Sequence, residues 1–206
     1  MSGNTLPNPG FRLRASYHHV NREDEVNFGF WVFLMSDAII FGLLFATYAT
    51  MVRATAAGPG PKQLFDINSV AIETAALLLS SFGYGMASLA LKYELGYRKV
   101  IAWLILTLLL GLVFLGFEVH DFLTMFAHGG SPGGSGFTSA FFGLVPLHGL
   151  HVATGCIWMV VLIVQMLRYG IDADVRLGVQ RLALFWHFLD IVWIAIFSIV
   201  YLGGLA

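Results

Sequence analysis

Five apolar stretches, each long enough to cross a lipid bilayer, dominate this 206-residue chain. They run over residues 28–52, 70–91, 100–127, 137–167 and 182–202. A hydrocarbon core about 30 Å thick takes about 20 helical residues to span. Lipid cannot satisfy open backbone N–H and C=O groups, so runs of this kind fold as helices. The pattern predicts an all-α integral membrane bundle of five transmembrane helices. The third and fourth runs are long enough to tilt or to project into water. Residues 1–27 are polar and read as an N-terminal segment, and residues 28–206 as the transmembrane domain. The first apolar run begins only at Phe28 and outlasts a signal-peptide core, so it reads as a span rather than a leader.

Composition agrees. The chain is 58% hydrophobic and only 11% charged, against about 25% charged in a soluble domain. A net charge of −1 gives no footprint for nucleic acid. The single cysteine, Cys156, lies inside an apolar run and permits no disulfide within the chain. It reads as a small packing residue.

The breaks between runs are a turn-rich Gly58-Pro59-Gly60-Pro61, a charged connector at 92–99, an uncharged glycine-serine loop at 129–136 and a charged connector at 168–181. Nine basic residues (Arg12, Arg14, Arg22, Lys92, Arg98, Lys99, Arg168, Arg176 and Arg181) fall on the N-terminal segment and on the second and fourth connections. Only two, Arg53 and Lys62, fall on the first connection, and none on the third or the C-terminal tail. The excess of basic residues marks the cytoplasmic side. The N-terminus is therefore expected in the cytoplasm and the C-terminus outside. Small residues recur four apart, as in Ser81 with Gly85, Gly83 with Ala87 and Gly149 with Ala153. Such pairs let helix backbones approach closely in lipid.

Ionisable side chains within spans are costly, so each asks for a reason. Here they are Asp37, Glu73, Glu118, His120, Asp121, His148, His151, His187 and Asp190. At 1.5 Å per residue, Asp37 and Asp190 each lie roughly 13 Å into their helices, and His151 roughly 20 Å from the outer end of helix four. Asp37, His151, His187 and Asp190 are thus expected to share one layer in the cytoplasmic half, as a buried polar layer or a proton-related group. Glu73, Glu118 and Asp121 fall toward the outer side, where Glu118, His120 and Asp121 could reach the headgroup zone, and His148 lies near the middle. His148 with His151, His187 with Asp190, and Glu118 with Asp121 are each three apart and so share a helix face.

Three readings of these pairs stay open on spacing alone. Histidines on two helices could hold a haem or a metal. Acids and histidines could form the proton path of a small independent transporter. The third reading, favoured by the spacing, is that the groups hydrogen-bond one another and fix the bundle. No His-Glu-x-x-His zinc motif occurs to support a protease.

Longer motifs go further. The run from Phe141 through Phe142, His148, Gly149, Leu150 and His151 to Val152 resembles the Phe-Phe…His-Gly-Leu-His-Val stretch of haem-copper oxidase subunit III. Phe185-Trp186-His187-Phe188-Leu189-Asp190-Ile191-Val192-Trp193 is similar to the Trp-His-Phe-x-Asp-x-Val-Trp of that family's last helix. Met35-Ser36-Asp37 with Phe41 resembles its Ser-Glu/Asp…Phe stretch. The resemblance implies an accessory subunit without catalytic residues, binding no metal or cofactor of its own. Haem and copper would sit in the partner subunit I, which reduces oxygen and pumps protons. It also implies a phospholipid-holding cleft between helix groups, support of proton uptake into subunit I, and a place in the bacterial inner membrane. The family often has glutamate at the position of Asp37 and asparagine at that of Glu73. Many members have seven helices. A five-helix form resembles the cytochrome o ubiquinol oxidases, whose substrate is ubiquinol. A membrane haem-binding electron-transfer protein and a small independent transporter are the alternatives.

Overall fold

The computed structural model describes residues 9–55, 67–127, 129–131 and 133–205, with side chains described from Asn27 onward. The helices are α1 (Pro9–Met51), α2 (Ile67–Lys92), α3 (Tyr97–Ala127), α4 (Gly136–Tyr169) and α5 (Ala173–Ile196). A π-helical turn (Phe197–Leu202) and a last short helix α6 (Gly203–Leu205) follow. Five helical segments are long and apolar enough to cross a membrane: Asn27–Met51, Ile67–Lys92, Tyr97–Ala127, Gly136–Tyr169 and Ala173–Leu202. No strand occurs among the described residues.

Four of these spans agree with the apolar runs to within a few residues. The fifth starts at Ala173 rather than at residue 182, because the stretch read as a connector is already helical. Asp172 caps it, its side chain accepting from Val175 N at 2.8 Å. A capped first turn carries polar residues without losing the helix. Upstream, α4 closes on Gly170, whose φ of 78° lies in the left-handed region that glycine adopts cheaply. The α2–α3 turn closes with Leu95 N–H donating to Ala90 O at 3.0 Å, which puts Glu94 at a φ of 52°. At the start of α4, Ser135 and Thr138 form a reciprocal capping box.

The chain divides into two compact units within α1, at Ala38. The described part of the first is a length of α1, in which the Phe30 and Phe33 rings sit 5.9 Å apart. The second unit holds the rest of α1 and everything after it. Within it α2 packs on α3, α3 on α4, α4 on α5, and α5 back on α2, a closed four-helix bundle. The last turns of α1 lie along this bundle. Phe41 meets Phe188 of α5, and Tyr48 donates to Val200 O at 3.1 Å in the π-helical turn.

Glycines set how closely the bundle helices approach. A Cβ on Gly83 of α2 would stand 2.9 Å from Thr107 Oγ1 of α3. Cys156 is buried, its Sγ against Gly111 of α3. Gly85, by contrast, has open space where a Cβ would go. The small-residue spacing therefore marks a helix crossing at Gly83 but not at Gly85.

Candidate functional site

The polar side chains of the spans fall into distinct clusters. The first joins α2 and α3. Glu73 sits one turn after Ser69 on α2, and Glu118 one turn before Asp121 on α3. Ser69 donates to Asp121 Oδ1 at 2.8 Å. Glu73, 1% exposed, and Glu118 are both buried. The three carboxyl groups and the Tyr201 phenol lie near enough to interact electrostatically. Glu118 also reaches α4, where its carboxyl fills the space a Cβ on Gly149 would need, with Oε1 2.6 Å from that point. A Cβ there would require the Glu118 carboxyl to move. Glu118 thus faces the bundle interior, while its neighbour His120 is the exposed member of the group.

His148 is 0% exposed. Its Nε2 lies 3.2 Å from Leu189 O. Its ring packs edge-on to Phe114 and tilted against Trp193, with centroids at 5.8 Å and 5.2 Å. His151, one turn on, is half-buried and gives Nδ1 to Leu147 O of its own helix at 2.7 Å. Phe41 of α1 touches both imidazoles, at 6.4 Å and 5.4 Å. The α4 pair is therefore the surface that receives α1.

On α5, His187 Nδ1 lies 2.8 Å from Ser81 Oγ of α2 and 3.7 Å from Asp190 Oδ2. Asp190 is buried, whereas the His187 side chain is 45% exposed. The hydrogen bond of this pair, expected to share a layer with Asp37 and His151, runs to Ser81 of α2. Asp37, the remaining member of the expected layer, is a buried residue of the first unit, near its end.

Two further links were not singled out from the sequence. Trp186 donates its indole N–H to Ser80 Oγ and Trp193 to Thr74 Oγ1, each at 3.0 Å. The two tryptophans stand seven residues apart on α5 and reach two hydroxyls six apart on α2. That seven-residue interval, two helical turns, was the available signal. In lipid such interhelical hydrogen bonds join helices that have no hydrophobic drive to associate.

Among the described residues, no three His, Cys, Asp or Glu side chains are grouped as a metal site. Gly129-Gly130-Ser131-Pro132-Gly133 carries the letters of a Gly-x-Ser-x-Gly nucleophile elbow. It joins two helices, however, rather than a strand to a helix, the context that such an elbow requires.

Residues 13–205 match the family described as cytochrome c oxidase subunit III. Subunit 3 of the cytochrome bo(3) ubiquinol oxidase of Pseudomonas aeruginosa is 48% identical over 177 residues, covering 86% of this chain and 84% of that protein. The corresponding subunit of Buchnera aphidicola is 44% identical over 177 residues, covering 86% and 91%. Quinol oxidase subunit 3 of Bacillus spizizenii is 41% identical over 177 residues, covering 86% of each.

Proposed function

Because this chain belongs to the cytochrome c oxidase subunit III family, we propose that it is the non-catalytic third subunit of a bacterial haem-copper quinol oxidase, seated beside subunit I in the inner membrane. The observation that carries this reading is similarity across almost the whole chain to quinol-oxidase subunits of several bacteria. The distribution of basic residues supports an N-terminus in the cytoplasm.

In this reading the chain supplies structure, and the redox centres belong to subunit I. Its polar residues act mainly within the bundle. His148 and His151 receive α1 through Phe41, Trp186 and Trp193 bind α5 to α2, and Glu118 joins α3 to α4 at Gly149. Large apolar side chains such as Phe28, Ile39, Leu43, Leu150 and Ile157 are exposed, as lipid- or subunit-facing surface requires. Asp37, on the cytoplasmic half of its helix under this orientation, is the residue best placed to support proton uptake by subunit I. Basic residues at the cytoplasmic ends of the helices would meet phospholipid headgroups.

Removing this chain from its host tests the reading. Haem content and initial quinol-driven oxygen uptake should persist, while the complex becomes less stable in detergent and its turnover decays faster. An oxidase whose stability and inactivation are unchanged would contradict an accessory role, and an immediate complete loss of chemistry in an intact complex would contradict a non-catalytic one.

A further inference from the structure

We infer that Glu73 and Glu118, with Asp121 beside them, form a proton-holding site inside the bundle, whose protons exchange with water at the end of the bundle away from the basic connectors by way of Asp121 and His120. The site draws on residues of this chain alone and is independent of the partners with which the chain assembles.

Four elements build it. α2 brings Ser69 and Glu73, α3 brings Glu118 and Asp121, α4 brings Gly149, and the π-helical turn brings Tyr201. Glu73 stands six residues after the start of α2 and Glu118 nine before the end of α3. Both therefore lie well within their spans. Glu73 is 1% exposed and Glu118 4%. Oε1 of each is buried, with no hydrogen-bond partner among the described residues. No ion pair among those residues brings either of them a lysine or arginine. The titratable groups that face them are the Asp121 carboxyl and the Tyr201 phenol, with Tyr48 of α1 beyond it. His148, next to Gly149 on α4, is directed at Leu189 O.

A carboxylate in this setting has neither cation nor donor to offset its lost hydration, and a second one beside it adds repulsion. A carboxyl group so placed takes a proton instead. As an acid it is both donor and acceptor, so members of the cluster can satisfy one another, which ionised members cannot.

Asp121 differs from the two glutamates. Its Oδ1 accepts from Ser69 at 2.8 Å and lies 3.5 Å from His120 Nδ1. Its side chain is 13% exposed and that of His120 74%. Burial thus falls in steps from Glu73 through Asp121 to His120. The 31 residues of α3 span about 46 Å, against a hydrocarbon core about 30 Å thick. The end of α3 therefore reaches past the core, and His120, seven residues from that end, stands near the boundary. An imidazole there can take up and release protons near neutral pH. Asp121, with a hydroxyl donor and an imidazole at hand, can carry the charge that the glutamates cannot.

Infrared spectroscopy tests the site on the full chain in lipid nanodiscs, with heavy carbon in the side-chain carboxyl of every glutamate. At neutral pH the chain should show a C=O stretching band of protonated carboxyl that moves with the label. Glu73→Gln and Glu118→Gln, which keep the size of the neutral acid, should each remove part of that band and together all of it. Asp121→Asn and His120→Leu should keep the band and slow its shift on transfer to heavy water. Near-UV circular dichroism of the tryptophans reports whether each variant is folded, and if the glutamine variants are not, the labelled wild-type spectrum decides alone. A folded wild-type chain without the band holds ionised glutamates, offset by water or a cation, and overturns the site. A labelled band that survives intact in the folded double variant overturns it as well. Exchange as fast in Asp121→Asn and His120→Leu as in wild type overturns the route through them.

Discussion

Gly155→Ala should destabilise the bundle out of proportion to one methyl group. Trp186 of α5 is 1% exposed, and its six-membered ring meets glycines on two other helices. A Cβ on Gly155 would stand 2.9 Å from Cζ3, 3.1 Å from Cε3 and 3.3 Å from Phe185 Cε1. Ordinary carbon contacts lie at about 3.5–4.0 Å, so the ring would have to retreat by about 0.6–1.1 Å. Retreat is blocked. Across the ring, Cη2 and Cζ2 crowd Gly111 of α3, where a Cβ would likewise stand at 2.9 Å and 3.1 Å, and the indole N–H is held by Ser80 of α2. The strain falls on backbone separation or on the Trp186–Ser80 hydrogen bond. Overpacking of this kind costs about 1–3 kcal/mol. The assay is equilibrium unfolding of the purified chain in mixed micelles of increasing sodium dodecyl sulfate, followed by circular dichroism. A coupling test uses Trp186→Phe, which vacates the space of the outer ring. In that background Gly155→Ala should cost less than about 0.5 kcal/mol, as expected of residues that interact directly. A Gly155→Ala variant as stable as wild type, or one equally destabilised with and without Trp186, would refute the packing argument.

Other substitutions separate the interactions by depth. Tyr84→Phe removes a buried hydrogen bond to Val179 O of 2.9 Å and should cost about 1 kcal/mol in the same titration. Arg176→Ala breaks an ion pair with Glu94 whose partners are 44% and 74% exposed, and unfolding should move by less than about 0.5 kcal/mol. Asp37→Asn discriminates two roles. If Asp37 is a helix staple, purified oxidase should lose this subunit while oxygen reduction persists. If it serves proton supply, turnover should fall or decay faster with the subunit still present, and unchanged assembly, turnover and inactivation would exclude both.

The spans were legible because length and apolarity suffice when lipid forbids every other backbone arrangement. The start of α5 was not, since residues 173–181 carry charge and a hydropathy reading sees only a connector. The signal present was Asp172, an acceptor side chain immediately before a helix. His148 and His151 were legible as residues sharing a helix face, yet their common partner Phe41 lies more than a hundred positions away, and periodicity carries no information at that range. The same holds for Glu118. Its depth along α3 suggested an outer position, but whether it reaches out or in depends on Gly149 leaving room on another helix. Small-residue spacing named Gly83 and Gly149 correctly as close approaches and Gly85 wrongly, because spacing marks where a helix could approach and not whether one does. The link of His187 to Ser81 joins positions more than a hundred residues apart and is likewise visible only in the fold.

The central claim is that this chain works inside a quinol oxidase, and its partners test that most directly. The measurement is mild-detergent capture of the tagged chain from native membranes, with haem spectra and ubiquinol-driven oxygen uptake on the eluate. The account predicts a haem-containing eluate that oxidises ubiquinol, with all of the haem carried by larger subunits. A chain that elutes alone in a detergent gentle enough to keep other respiratory complexes whole, whether colourless or carrying its own haem, would contradict it.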